Sequence, residues 1–287
     1  MTGREKMADG AAISILGGEG MLGSALFSEC RREGVEAQVF DLPDFDITNK
    51  EHIEEVVGKS GAVMNCAAYT DVDRAQSEIG RAYKVNAEAV GELGRAAAKF
   101  GVWVLHISTD FVFDGLSARP YVEADRCNPI NVYGRSKLAG EKLLIESGCA
   151  GCIMRIEWTY GHKGNNFVTG LIEAARKGKP LRVVDDQVGS PTAVSEVAKV
   201  ICKLFSIRPE GVFHFASRGY VSRYGMAEFI FGKLRMKVDL QSCPSSEYPS
   251  TAERPLNSRF DCTKIQRLLG EPIERWEKPL EEFIKQL

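Results

Sequence analysis

The sequence predicts an α/β fold, a doubly wound parallel sheet followed by a smaller C-terminal lobe. In the first half, short runs of β-branched residues alternate with longer amphipathic stretches, and a glycine-rich turn comes directly after the first run. Such alternation is typical of right-handed βαβ units, whose parallel strands are covered by helices on both faces. After about residue 160 the alternation loosens, and Gly, Pro and Ser become more frequent. We therefore expect one domain over residues 11–160 and a second lobe over residues 161–287, with segments that return to the first domain.

The individual elements follow from the same patterns. Apolar runs predict strands at residues 12–16, 37–41, 62–66, 102–107 and 152–156. Apolar residues at helical spacing predict helices at residues 22–32, 53–58, 82–100 and 132–146. Residues 241–255 have little periodicity and are predicted to be irregular. The C-terminal lobe is then expected to rest on the open edge of the sheet, where ligands of doubly wound folds bind.

The charge balance and the hydropathy of the sequence argue against nucleic acid and membranes as binding partners. Lys and Arg total 37 against 39 for Asp and Glu, a net charge of -2. A chain without a strong field of one sign is not expected to bind nucleic acid or an anionic membrane. No apolar run reaches the roughly 20 residues that cross a bilayer. Residues 1–10 are polar and lack the apolar middle of a secretory signal. We expect a cytoplasmic protein with a polar N-terminal extension, either a monomer or a homodimer.

The cysteines do not indicate a metal centre. Cys149 and Cys152 have the C-x-x-C spacing of redox and zinc sites, but the eight cysteines include no second such pair. A zinc site needs about four ligands, and the chain has only four His. We interpret Cys149 and Cys152 as incidental thiols and predict no metal site.

A glycine-rich turn follows the first predicted strand and opens the first predicted helix. Gly18, Gly20 and Gly23 satisfy G-x-G-x-x-G, and Gly17 also fits the variant G-x-x-G-x-x-G. Such glycines permit a tight turn and a close approach of the backbone to a pyrophosphate, at which the N–H groups of the helix are aimed. In this position the turn predicts a dinucleotide site.

Asp41 ends the second predicted strand, where a carboxylate can accept hydrogen bonds from the adenosine ribose. The same carboxylate would repel the extra phosphate of NADP, and no Arg or Lys follows before Lys50. The local pattern therefore favours NADH. The alternative is a surface Asp that begins a turn before Pro43.

Tyr133 and Lys137 are four residues apart in a predicted helix, so they share one face. Reduction of a ketone needs a proton donor beside the carbonyl oxygen, and a nearby ammonium is expected to lower the pKa of a tyrosine towards neutral. The lysine can also hold the nicotinamide ribose. Such a pair alone is weak evidence, but Thr109 follows another predicted strand, at the sheet edge that holds ligands. Thr109, Tyr133 and Lys137 are therefore the predicted catalytic residues.

These motifs, in this order, resemble the extended short-chain dehydrogenases/reductases, which have a Rossmann-type fold. Longer segments are similar to the dTDP-4-dehydrorhamnose reductases within that family; they are residues 65–73, 128–141, 155–158, 164–167, 186–192 and 254–258. The resemblance covers nearly the whole chain, from about Ile13 to Ile284. It implies reduction of the 4-keto group of a nucleotide-linked deoxysugar, dTDP-4-dehydro-L-rhamnose, with NADH or NADPH as the cofactor.

The resemblance also implies roles for individual residues. With the glycine turn, Asp41 and the catalytic pair included, the cofactor-binding set is Gly17, Gly20, Met21, Leu22, Gly23, Asp41, Asp46, Ile47, Ala67, Ala68, Tyr69, Thr70, Tyr133 and Lys137. The substrate-binding set is Val72, Thr109, Asp110, Trp158, Asn166 and Arg254. In it, Trp158 would pack against the substrate and Arg254 would lie near the nucleotide diphosphate.

The sequence departs from that family at three positions, and two alternatives stay open. Phe111 stands where the family usually has Tyr, Glu157 where Ser or Thr is usual, and Met21 where Gln is common. One alternative is a sugar-nucleotide epimerase or dehydratase, but dehydratases carry Glu where this chain has Phe111. The other is a non-catalytic subunit resembling the regulatory subunit of methionine adenosyltransferase.

Overall fold

The structure is a computed structural model that describes residues 12–287; the extension expected at residues 1–10 lies outside them. The strands are β1 (Ile13–Leu16), β2 (Ala37–Phe40), β3 (Ala62–Asn65), β4 (Trp103–Thr109), β5 (Gly151–Ile156), β6 (Thr159–Tyr160), β7 (Leu181–Val184), β8 (Val188–Gly189), β9 (Thr192–Ala193), β10 (Gly211–Phe215), β11 (Val221–Ser222) and β12 (Leu240–Cys243).

The helices are α1 (Met21–Arg32), α2 (Lys50–Val57), α3 (Val72–Ala75), α4 (Ile79–Tyr83), α5 (Ala89–Phe100), α6 (Val132–Glu146), α7 (Phe167–Arg176), α8 (Val194–Ile207), α9 (Arg223–Leu234), α10 (Thr263–Leu269) and α11 (Glu277–Ile284). A π-helical segment, Lys84–Glu88, joins α4 to α5. Short 3₁₀ turns lie at Asp110–Val112 and Ser245–Glu247.

A six-stranded parallel sheet with the order β2-β1-β3-β4-β5-β10 forms the centre of the molecule. This confirms the predicted fold class. The chain leaves β1 for β2 on one side and returns to β3 on the other, and such a reversal opens a crevice at the carboxyl ends of the strands. Gly17 lies at this point with φ of 73°. A Cβ atom there would lie 2.6 Å from the Ala67 backbone nitrogen. The turn after β1 can therefore pack against the loop after β3 only if residue 17 is glycine.

Helices cover both faces of the sheet, and side chains that alternate along each strand bury against one layer or the other. On one face, Met64 of β3 and Leu105 of β4 pack in a core with α1 and α8. On the other, their neighbours Val63 and Val104 pack in a core with α2 and α5. The carboxyl ends of the strands are thus held in fixed register, which places the residues that follow them.

The C-terminal lobe has its own core, which includes side chains of α7, α9 and α11. Small strand pairs connect its segments, β7 with β12 and β8 with β11. The segment from 194 to 215 instead returns to the main sheet, because α8 packs on α1 and β10 pairs with β5. We propose that this lobe binds the substrate and that residues 11–160, with α8 and β10, bind the cofactor.

Three details differ from the sequence-based expectations. The helix expected at residues 82–100 is divided into the end of α4, the π-helical segment and α5. β4 continues through Ser108 to Thr109, because its pairing with β5 extends to the Thr109–Ile156 pair. Residues 241–243 are not irregular but belong to β12, which pairs with β7. The polar sequence of β12 carries no alternation signal, and its partner strand supplies the hydrogen bonds. No helix of residues 12–287 is long and apolar enough to cross a membrane.

Candidate active site

The glycine turn leaves the N-terminus of α1 open to an anion. Gly20 precedes the helix and makes no side-chain cap, and the first turn has no acidic residue. The first backbone N–H groups of a helix have no partner within it and attract a negative group. Gly23 must also be glycine, since a Cβ atom would lie 2.2 Å from the Gly17 carbonyl oxygen. Gly17, Gly20, Met21, Leu22 and Gly23 therefore form a cradle that fits a pyrophosphate.

A cleft of about 470 Å³ lies beside this turn, at the end of β2. We call it the β2 cleft; its lining includes Glu19, Asp41, Asp44, His52 and Glu55. The Asp41 carboxylate accepts the backbone N–H groups of Glu19 and Leu42, both at 2.8 Å. These bonds fix the predicted ribose acceptor at the mouth of the glycine turn.

Asp46 and Ile47 follow Phe45 in the chain and do not line the β2 cleft. Asp46 accepts the Thr48 N–H at 2.8 Å, and this bond lowers the pKa of the Asp46 carboxyl. Ile47 is buried in the core. Both side chains shape the turn that follows β2.

The loop after β3 is held by two buried asparagines that sequence reasoning did not single out. Asn65 accepts the Ala67 N–H at 3.1 Å. Asn86, in the π-helical segment, accepts the Tyr69 N–H at 2.8 Å and donates to the Tyr69 carbonyl at 3.0 Å. The Tyr69 hydroxyl donates to Glu78. Ala68 and Thr70 lie in the same loop, so the segment expected along the cofactor has a fixed backbone.

The three predicted catalytic residues lie on two neighbouring elements. Thr109 ends β4, where its hydroxyl donates to Asp110 at 3.0 Å and accepts the Phe111 N–H at 3.2 Å. Tyr133 and Lys137 lie on α6, one turn apart. The Tyr133 ring packs edge-on against Phe111, with ring centroids 5.5 Å apart.

The expected lowering of the tyrosine pKa is not what the structure shows. Burial, with a smaller contribution from the Asp110 carboxylate, raises the pKa of Tyr133. The expectation was wrong because the Lys137 amine is directed elsewhere: Nζ donates to the Ile107 carbonyl at 2.6 Å and lies 3.3 Å from His106 Nε2. Tyr133 is thus a protonated phenol throughout the neutral range, as a proton donor must be.

Lys137 is 2% exposed. Burial lowers its pKa to about 8, since a charged amine is disfavoured away from water. Burial, together with Lys137, also holds the pKa of His106 well below its ordinary value, so this ring is neutral.

The orientation of the His106 ring follows from its other neighbour. Asn65 uses its carbonyl oxygen for Ala67, so its amide NH₂ faces His106 Nδ1 at 3.1 Å. Nδ1 is then the acceptor, and the proton lies on Nε2, facing Lys137. Nε2 can donate this proton to the Lys137 amine only where that amine is neutral, which is above its pKa of about 8.

A buried ion pair fixes α6 against the sheet one turn beyond Lys137. Glu141 binds Arg155 of β5 through two hydrogen bonds, of 2.9 and 2.6 Å, and accepts the Ser108 hydroxyl of β4 at 2.5 Å. Glycines let α6 approach two other neighbours: Cβ atoms at Gly134 and Gly140 would lie 2.1 Å from the Phe111 carbonyl oxygen and 2.0 Å from the Asn86 carbonyl oxygen. Sequence reasoning gave Glu141 and Arg155 no role, because nothing in the sequence pairs residues on separate elements.

A second cleft, of about 1320 Å³, lies in the C-terminal lobe. We call it the C-terminal cleft; its lining includes Asp73, Phe167, Arg182, Arg223, Arg254 and Leu256. Asp110 connects β4 to this lobe, because it accepts the Ser258 hydroxyl at 2.5 Å. Trp158 follows β5 with φ of 46°, a left-handed conformation that is uncommon for a bulky residue and typical of functional sites.

The remaining predicted substrate residues make structural contacts. Asn166 caps α7, accepting the Thr169 N–H at 3.1 Å and donating to the Gly161 carbonyl at 2.9 Å. Val72 begins α3 and is partly buried. Arg254 is ion-paired with Asp73, with 2.7 Å between Nη2 and Oδ2. Asn166 and Arg254 lie in the C-terminal lobe, and their side chains are engaged within the protein.

Comparison with known proteins identifies the family to which this chain belongs. The family model described as "RmlD substrate binding domain" matches residues 11–287. The chain is 36% identical to the dTDP-4-dehydrorhamnose reductase of Aggregatibacter actinomycetemcomitans over 95% of this chain and 98% of that protein. The chain belongs to the RmlD family. It is thus an NAD(P)-dependent oxidoreductase of the dTDP-4-dehydrorhamnose reductase type, as the motifs indicated.

Solved structures of RmlD family members have the same fold. A dTDP-4-dehydrorhamnose reductase from Bacillus anthracis in complex with NADP is 35% identical, with a TM-score of 0.92 over 96% of this chain and 99% of that chain. One from Clostridium acetobutylicum is also 35% identical, with a TM-score of 0.91 and the same coverage. The first of these places NADP in a protein with the overall fold described above.

The packing of α6 gives a prediction for this RmlD family member. We expect Gly140→Ala to reduce the free energy of unfolding by about 1–3 kcal/mol, because the added methyl group overpacks against the Asn86 backbone. Activity should fall as well, since α6 carries Tyr133 and Lys137. Urea denaturation measures the first effect and turnover the second.

Gly80→Ala is the matched control, since Gly80 is an exposed helical glycine with nothing within 4 Å of the added methyl group. It should leave activity unchanged and raise stability by up to about 1 kcal/mol. Equal effects of the two substitutions would contradict the packing described for α6.

Proposed function

We propose that this protein reduces the 4-keto group of dTDP-4-dehydro-L-rhamnose to give dTDP-L-rhamnose, using NADH or NADPH, in the biosynthesis of dTDP-rhamnose. The observation that carries the proposal is a chain of contacts through the site. Lys137 is joined to the loop after β3 through His106 and Asn65. Thr109 is joined to the C-terminal lobe through Asp110 and Ser258. The catalytic residues thus lie where the elements expected to hold cofactor and substrate meet.

The residues present fit a dinucleotide. The cradle at Gly17, Gly20 and the start of α1 suits a pyrophosphate, Asp41 suits a ribose, and the fixed backbone after β3 suits the rest of the cofactor. Lys137 would hold the nicotinamide ribose. When bound, the cofactor supplies a hydride to the carbonyl carbon of the sugar.

Tyr133 would supply the proton. Its raised pKa keeps the phenol protonated, so it can donate to the carbonyl oxygen as the hydride reaches carbon. The Thr109 hydroxyl, at the end of β4, would share that oxygen. Phe111, at the place where dehydratases carry Glu, packs against Tyr133 and has no group for acid/base removal of water.

The lining of the β2 cleft supports NADH as the preferred cofactor. It includes four carboxylates, Glu19, Asp41, Asp44 and Glu55, and among residues 12–287 no Lys or Arg lines it. A 2′-phosphate would meet negative charge there. The NADP bound to the Bacillus anthracis relative is a property of that protein.

Tyr133→Phe tests the reaction. The variant keeps the ring but loses the proton donor, so turnover should fall by roughly 10²–10⁴-fold while cofactor affinity stays the same. The measurement is the loss of reduced-nicotinamide absorbance with dTDP-4-dehydro-L-rhamnose, and cofactor titration is the control. Near-normal turnover in the variant would exclude Tyr133 as the donor, and an inactive wild type would exclude this substrate.

Asp41→Ala tests the cofactor preference. We expect the wild type to use NADH at least as well as NADPH, and the substitution to shift the ratio of kcat/KM values towards NADPH because it removes a repulsive carboxylate. Asp44→Ala is the matched control, since it removes an exposed carboxylate from the same cleft. A wild type that strongly prefers NADPH, with a ratio unchanged in Asp41→Ala, would show that Asp41 does not face the ribose.

A further inference from the structure

Arg223 lies in the C-terminal cleft with its guanidinium stacked between two aromatic rings. It is the first residue of α9. Its Cζ atom lies 3.5 Å from the centroid of the Trp158 ring and 4.9 Å from that of Phe167. Stacking covers the faces of a guanidinium and leaves the donors along its edge available. The sequence gave no reason to single out this residue.

The other arginines that line the C-terminal cleft are already paired. Arg182 binds Glu247 at 2.5 Å, and Arg254 binds Asp73 at 2.7 Å. By contrast, within residues 12–287 no carboxylate forms an ion pair with Arg223, and its guanidinium has no hydrogen bond. The donor set of Arg223 is thus free to bind a ligand from the cleft.

Two acids lie near Arg223, but their oxygens are used by other donors. Asp110 accepts hydroxyl groups from Thr109 and Ser258. Glu157 accepts the Ser190 N–H at 2.9 Å and the Phe260 N–H at 3.3 Å. Neither carboxyl group lies within ion-pair distance of the Arg223 guanidinium.

The charge balance of this group also favours an anion. Burial raises the pKa of Glu157 well above its ordinary value and also raises the pKa of Asp110, so burial disfavours the charged form of both carboxyl groups. Burial lowers the pKa of Arg223 to about 10, which still leaves it charged at neutral pH. A positive charge therefore remains at the cleft surface.

We propose that Arg223 binds the diphosphate of the nucleotide-sugar substrate, the role that the family resemblance assigned to Arg254. The identity of the ligand rests on the proposed function. A guanidinium fork matches two phosphate oxygens at once. Arg223 offers that fork without breaking an ion pair, whereas Arg254 must first leave Asp73, the Ala252 carbonyl and Ser250. Arg254 instead ties the segment around residue 252 to α3.

The test is the binding of dTDP and of thymidine, measured by calorimetry with NADH present. In Arg223→Leu, dTDP should bind roughly 10- to 100-fold more weakly, as expected for the loss of hydrogen bonds between charged groups. Thymidine, which has no phosphate, should bind as in the wild type, and so should NADH. Arg182→Leu, which removes a paired arginine from the same cleft, should weaken dTDP binding less than about 3-fold.

Arg223→Gln keeps a planar polar side chain without the charge. If Arg223→Leu misfolds and loses NADH binding, the dTDP affinity of Arg223→Gln tests the proposal instead. Wild-type affinity for dTDP in Arg223→Gln would overturn the proposal. So would a larger loss of dTDP affinity in Arg254→Leu than in Arg223→Leu. The proposed function fails separately: a wild type that binds dTDP through Arg223 but does not reduce the 4-keto sugar would refute the reaction and leave the diphosphate site in place.

Discussion

The geometry of the site depends on the contacts that the buried amine of Lys137 makes with β4. A lysine removed from water is costly unless its amine finds hydrogen-bond partners. Here the Ile107 carbonyl accepts from the Lys137 amine, and His106 Nε2 lies 3.3 Å from it. Both partners belong to β4, so α6 must lie directly against that strand. One turn beyond Lys137, the Glu141–Arg155 pair adds a second contact between α6 and the sheet, and Gly134 and Gly140 let α6 approach the backbone at Phe111 and Asn86. Tyr133 and Thr109 are brought to one end of β4 as a consequence.

The position of β4 and α6 also affects the two expected ligand sites, one for the cofactor and one for the substrate. His106 contacts Lys137 on one side and Asn65 on the other. Asn65 in turn holds the loop that faces the glycine turn. On the other side, Asp110 links the end of β4 to Ser258 of the C-terminal lobe. Trp158, held in a left-handed conformation, lies beneath Arg223 in that lobe. Strain of this kind costs about 1–3 kcal/mol and persists only where the surroundings enforce it.

Sequence patterns predicted the parallel sheet, most of its elements and the motif residues, because each depends on local periodicity or on residues close in the chain. They did not predict β12, whose hydrogen bonds come from a distant strand. They also gave no role to His106, Asn86 or the Glu141–Arg155 pair, because these contacts join separate elements. The expectation for the pKa of Tyr133 was wrong for a related reason: spacing placed Lys137 on the same helix face, but burial and hydrogen bonds decide where its amine points.

The ionisation of Lys137 itself tests this account most directly. With ¹³C-labelled lysine, NMR can follow the ε-carbon through a pH titration, and the spectrum of Lys137→Met identifies the signal. The account predicts a midpoint near pH 8, with the ammonium below it and the neutral amine above it. If the Lys137 signal instead titrated near the reference lysine value of about 10.4, its amine would be solvated, and the buried contact that organises the site would not exist.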